Sequence, residues 1–141
     1  MTPLRLLGRV VLAGLLGTTA GIHLYLYLEA GYHLIPTIGP LFIVNAVSGG
    51  LLALAVLLAP WRWLRPTALA AALFEFGTLA ALAISTWHGL FGWQEFTSAT
   101  LYWPAVGVEA AGTVVGIALA AARRPEAPPR VSITTPAAVG Q

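Results

Sequence analysis

Residues 10–28 read VVLAGLLGTTAGIHLYLYL. The stretch carries no formal charge, and it is close to the roughly 20 apolar residues that a helix needs to cross a bilayer. How it is read decides the architecture. As a retained span it makes the chain a four-helix membrane bundle. As the apolar core of a signal peptide it would be removed and leave three spans. The start, MTPLRLLGRVVLAGLLGTTAG, has the basic beginning and the small residues (Thr18, Ala20) that a cleavable signal uses. However, the apolar run continues through Leu28, beyond the roughly 7–15 residues of a typical signal core. Retention is therefore the expectation.

Three further stretches have the same character. They are LFIVNAVSGGLLALAVLLA (41–59), TALAAALFEFGTLAALAISTWH (67–88) and LYWPAVGVEAAGTVVGIALAAA (101–122). Spans are expected over about 6–28, 41–59, 67–88 and 103–122 in one domain, 1–122. The tail, RRPEAPPRVSITTPAAVGQ (123–141), is Pro-rich without an apolar face and is expected to be a disordered cytoplasmic extension. Pro3, Pro40, Pro66 and Pro104 fall near expected helix starts, where a missing N–H costs little.

Composition agrees with a lipid setting. Of 141 residues, 58% are hydrophobic and 9% charged, and the mean hydropathy is +0.83. A soluble domain carries about 25% charged residues. A net charge of +2 is too small to suggest nucleic acid as a partner. There is no Cys, so disulfides, thiolate metal sites and cysteine nucleophiles are excluded.

All the basic residues are Arg, and their placement gives an orientation. Arg5 and Arg9 precede the first span, Arg62 and Arg65 separate the second from the third, and Arg123, Arg124 and Arg130 follow the fourth. The connections near 29–40 and 89–100 contain none. The positive-inside rule then places both termini in the cytoplasm. Tyr25, Tyr27, Tyr32, Trp87, Trp93, Tyr102 and Trp103 would form the outer aromatic belt, with Trp61 and Trp63 at the inner interface.

Small residues recur at four-residue spacing: Ala13, Gly17 and Gly21; Ala46 and Gly50; Gly112, Gly116 and Ala120. Such stripes let helix backbones approach in lipid. They are expected to pack the bundle, with homodimerisation through the fourth span as the alternative.

Ionisable groups inside a span cost about 2.5–3.5 kcal/mol on insertion scales, so each needs a reason. Glu75 lies about 13 Å into its span, near the midplane. Glu109, His23 and Asn45 lie at comparable depths above it. At about 100° per residue, Glu109 shares the small-residue face of its helix and should point at a neighbouring helix. Glu75 is expected to bond a Thr hydroxyl or a backbone carbonyl. His23, Asn45, Glu75 and Glu109 are therefore the candidate polar cluster. Glu29 and His33 could pair at i, i+4 if the first helix extends that far.

Three functional readings remain open. The first is a non-catalytic small subunit, assembly or scaffold protein, packed against itself or a larger membrane complex. The second is redox: His23 and His88, on helices running the same way, could hold a b-type haem, or one His and an aromatic cleft could hold a quinone. His33 is a further candidate haem or metal ligand, although the His spacings match no ligand signature. The third is an oligomeric proton- or cation-coupled transporter or channel using Glu75 and Glu109. Nucleophilic catalysis is disfavoured: there is no GxSxG, no Asp, and no base beside Ser48 or Ser85.

IPTIGPLF (35–42), the end of GYHLIPTIGPLF (31–42), reads as a structured turn into the second span, fixed by Pro36, Gly39 and Pro40. With this stretch, 1–122 resembles the small four-span integral membrane proteins of bacteria. In size and span count it is loosely similar to DoxX-like proteins. The resemblance implies a fold type and transfers no site residue.

Overall fold

The computed structural model describes residues 3–122. Four helices follow one another: α1 (Pro3–Glu29), α2 (Ile38–Leu58), α3 (Trp61–Trp87) and α4 (Tyr102–Ala121), with one 3₁₀ turn at Tyr32–Leu34 before α2. Each of the four is long and apolar enough to cross a membrane. The tail expected to be disordered, 123–141, lies outside the described residues together with its three arginines.

The helix limits lie close to those expected, with one exception. α3 starts at Trp61 and not near 67, with Pro60 in the capping position and Pro66 inside the helix. Within the first two turns Pro66 removes only the bond to the Arg62 carbonyl, and Arg62 is exposed. The α2–α3 connection is consequently reduced to Ala59 and Pro60.

α1 packs most extensively on α2, and α3 on α4. α1 also runs along α4, whereas α2 and α3 meet more loosely, and α2 and α4 do not touch among the described residues. The interior has two apolar clusters. Near the termini, Leu12 and Leu16 of α1 meet Val56, Leu64, Ala68, Ala71 and Leu119. Near the loops, Ile22 and Leu26 meet Tyr32, Ile38 and Ala105. Leu12 and Leu16 are fully buried, so α1 is a structural member of the core.

At the terminal end three arginines are bound to the fold. Arg9 donates to the carbonyls of Leu57 and Ala59 at the C-terminus of α2. Arg65 Nε donates to the Ala120 carbonyl at 2.8 Å, at the end of α4. These are carbonyls that a helix end leaves without partners. Arg5 lies 4.7 Å over the Trp61 ring.

The loop end is tightly folded. Ile38 N–H donates to the Pro36 carbonyl at 2.8 Å across Thr37, whose φ of 68° and ψ of −47° make this the rare, strained form of γ-turn. Gly39 is required beside it, because a Cβ there would lie 3.0 Å from the Tyr32 carbonyl oxygen. In the α3–α4 loop, Leu90 and Trp93 exchange both backbone hydrogen bonds around Phe91 (φ 52°) and Gly92 (φ 78°). Two central residues with positive φ are what a two-residue type I′ turn needs.

Glycine spacing resolves into two roles. A Cβ on Gly116 would lie 2.8 Å from Ala72 Cβ and 3.1 Å from the Ala68 carbonyl oxygen, so the α4 stripe joins α4 to α3 within one chain. This corrects the homodimer alternative for that face, because the face is already occupied. In α2 the close approach is at Gly49, where a Cβ would lie 3.2 Å from Ala20 Cβ, and not at Gly50, where a Cβ would meet open space. Gly17 and Gly21 face outward, and nothing lies within 4 Å of a Cβ at either. α1 instead buries the face carrying Leu12, Leu16, Thr19 and Ile22.

Candidate ligand-binding cavity

Between the two apolar clusters lies a polar layer. Glu75 of α3 is fully buried, and Thr19 Oγ1 of α1 lies 2.9 Å from its Oε2 and 3.2 Å from its Oε1, donating to the carboxylate. Gly112 of α4 makes room for that side chain, since a Cβ there would lie 2.7 Å from Glu75 Cγ. One turn earlier on α4, Glu109 is buried to the same degree, and its Oε2 has no hydrogen-bond partner.

Above this layer the bundle is hollow. A partly open cavity of about 120 Å³ lies between α2 and α3 toward the loops; its polar lining includes His23, Asn45, Thr78, Ser85, Trp93 and Glu95. A smaller cavity of about 40 Å³ adjoins it and extends to Glu109 and Tyr102, sharing His23, Phe42, Leu82 and Glu95 with the first. A wide surface recess of about 410 Å³ lies outside both, bounded by Tyr32, Trp93 and Glu95. Glu95 lines all three.

His23 is oriented by its own helix. Its Nδ1–H donates to the Thr19 carbonyl at 2.9 Å, which leaves Nε2 as the free ring nitrogen. The ring packs 4.9 Å from Phe42, and Phe42 stacks on Tyr32 at 4.7 Å. Tyr32 in turn meets Trp93 edge-on at 6.2 Å. Two buried atoms of residues that line the larger cavity, Asn45 Oδ1 and Trp93 Nε1, have no partner. Buried polar atoms are rarely left so, and each such exception calls for an occupant or a role.

The structure therefore brings His23 together with Asn45 in one cavity and with Glu109 in the other. Glu75 lies in the layer beneath. Other expectations need correction. His88 is the exposed residue that ends α3 and lines none of the cavities, so it does not face His23 as a second axial ligand would. His33 is exposed, and its Nδ1 bonds the Tyr27 carbonyl at 2.7 Å. It does not pair with Glu29, because α1 ends at Glu29 and the chain turns there. Among the described residues no three His, Cys, Asp or Glu side chains are grouped to hold a metal ion.

Three members of the site escape a reading by helical spacing. Glu95 belongs to a loop, where a carboxylate is ordinarily taken as solvated, yet it is 7% exposed. It accepts from the Tyr32 hydroxyl at 2.7 Å and from the Phe96 N–H at 3.1 Å. Tyr32 and Trp93 read as belt residues. Tyr32 is in fact buried, and Trp93 turns its indole inward. The available signal was that Glu95 is the one acid in its loop, set between Trp93 and Phe96.

Burial, and then the Glu95 carboxylate, push the Tyr32 phenol well above its ordinary value of 10.0. A raised folded-state value means that this contribution to stability is whole below pH 10.0 and is lost as pH climbs above it. Tyr32→Phe should therefore leave the tyrosinate absorbance of the folded protein unchanged through the ordinary phenol range. A smaller titrating amplitude in the variant would show that Tyr32 ionises freely and would contradict the buried bond.

No family model, curated protein or solved structure matches the chain.

Proposed function

We propose that this chain is a non-catalytic, multi-pass membrane protein that holds a small molecule in its loop-end cavity. The observation carrying this reading is the pair of orphaned buried atoms, Asn45 Oδ1 and Trp93 Nε1, on residues that line one cavity of about 120 Å³. A concave, largely apolar space with a few converging polar groups is the usual form of a small-molecule site. The arginine asymmetry supports placing both termini in the cytoplasm and the cavity at the outer face of a bacterial inner membrane. A subunit of a larger membrane complex is the second reading. It is favoured by the outward face of α1, where Gly14, Gly17 and Gly21 leave space for a close helix.

A neutral aryl probe tests the cavity directly. In lipid nanodiscs, neopentylbenzene should shift the Trp93 indole N–H resonance, identified by its loss in Trp93→Phe. Ala81→Trp, which fills the cavity wall, should abolish the shift. A shift that survives Ala81→Trp, or none at any concentration for this probe and its charged isostere below, would rule out the cavity as a binding site.

A further inference from the structure

The chemistry of the loop-end half is one-sided. It contains three buried carboxylates, Glu75, Glu95 and Glu109. The four described arginines are all at the opposite end, Arg62 in the first turn of α3 and the other three bound there as above. Two of the carboxylates are served by hydroxyls, Glu75 by Thr19 and Glu95 by Tyr32. Glu109 is served only in part: the Thr78 hydroxyl approaches its carboxyl, but the side chain is 2% exposed and its Oε2 has no partner. Ionising a buried carboxyl without a counter-charge costs several kcal/mol, so a cationic occupant would offset that cost where a neutral one would not.

The walls fit the same occupant. Phe42 and Trp93 flank the larger cavity, and Phe42 is shared with the smaller one into which Glu109 faces. Aromatic faces beside carboxylates form the usual recognition surface for ammonium groups. A quinone head presents carbonyl oxygens, which need donors. Here the surplus is of acceptors, with Trp93 Nε1 the one orphaned donor in the cavity.

We propose that the adjoining cavities form a site for a monovalent organic cation, a quaternary or protonated amine on an aryl body. The charge sits between Glu109 and Glu95, and the body lies against Phe42 and Trp93. This rests on the cavity being a binding site, and it specifies the ligand class.

The test uses two probes of nearly identical shape, benzyltrimethylammonium and neopentylbenzene, on the full chain in nanodiscs. Occupancy is read from the Trp93 indole resonance and expressed per mole of probe in the lipid phase. The cation should bind about tenfold tighter than its neutral isostere or better. Glu109→Gln should remove that preference, while Glu29→Gln at the exposed end of α1 should keep it. Equal binding of the two probes by the wild-type protein would overturn the cation assignment and leave the cavity reading standing. Binding of neither would remove both. If Glu109→Gln does not fold, the wild-type comparison of isosteres decides alone.

Discussion

Gly116→Leu should lower the thermal unfolding midpoint more than any other single change on the α4 face. A Cβ at 116 already lies 2.8 Å from Ala72 Cβ and 3.1 Å from the Ala68 carbonyl oxygen. The obstacle is helix backbone and a methyl group, neither of which can rotate away. The remaining leucine atoms would have to wedge α3 and α4 apart, and overpacking of this kind costs about 3 kcal/mol. The same replacement at Gly17, where nothing lies within 4 Å, is the control and should leave the midpoint nearly unchanged. Circular dichroism melts in one detergent compare the two. Equal losses would mean that the close approach of α3 and α4 is not what holds this pair.

The second large effect concerns Thr19. Thr19→Val keeps shape and removes a hydroxyl that donates to a fully buried carboxylate. The lost bond is the smaller part of the cost. Leaving Glu75 without that donor forfeits its compensation for burial, about 1–3 kcal/mol and more if it is charged. Replacing Glu75 as well, in a Thr19→Val/Glu75→Met double variant, removes the group that needed the partner and should recover most of the loss. The cycle then shows a coupling well above the few tenths of a kcal/mol seen between independent sites. If Thr19→Val melts like the wild type, the hydroxyl is not supporting Glu75.

Much of this was legible in the chain because lipid simplifies the problem. With water absent, length and apolarity alone mark the spans. The cost of an ionisable group in a span marks Glu75 and Glu109 as inward-facing. Helical spacing turns Glu109 onto the face of Gly112 and Gly116. What spacing could not give is the fold of the loops. The turn at Leu90–Trp93 carries Glu95 back into the bundle, and nothing local tells a buried loop carboxylate from a solvated one. Tyr32 reads as a belt residue for a related reason: a tyrosine near a helix end suits either an interface or a core with a partner, and its partner is 63 residues away. Gly17 and Gly21 repeat at the right spacing on the wrong face of α1, since the buried face is set by Leu12, Leu16 and Thr19. His88 lies past the last helical residue of α3, where its direction is no longer set by helical spacing.

The short α2–α3 connection has a consequence for how a ligand arrives. Ala59 and Pro60 pin the two helices together at one end, where Val56 and Leu64 meet in the core. At the other end the cavity separates them, so the pair is hinged like a clothes peg with its jaws toward the loops. With the four helices set across a bilayer, as proposed above, a gap between α2 and α3 would open toward the acyl chains. An amphiphile would then dissolve in the membrane first and slide in from the flank. At equal aqueous concentration, association rates across a series of amphiphiles would then rise with their membrane partition coefficients, which a water-filled portal does not require.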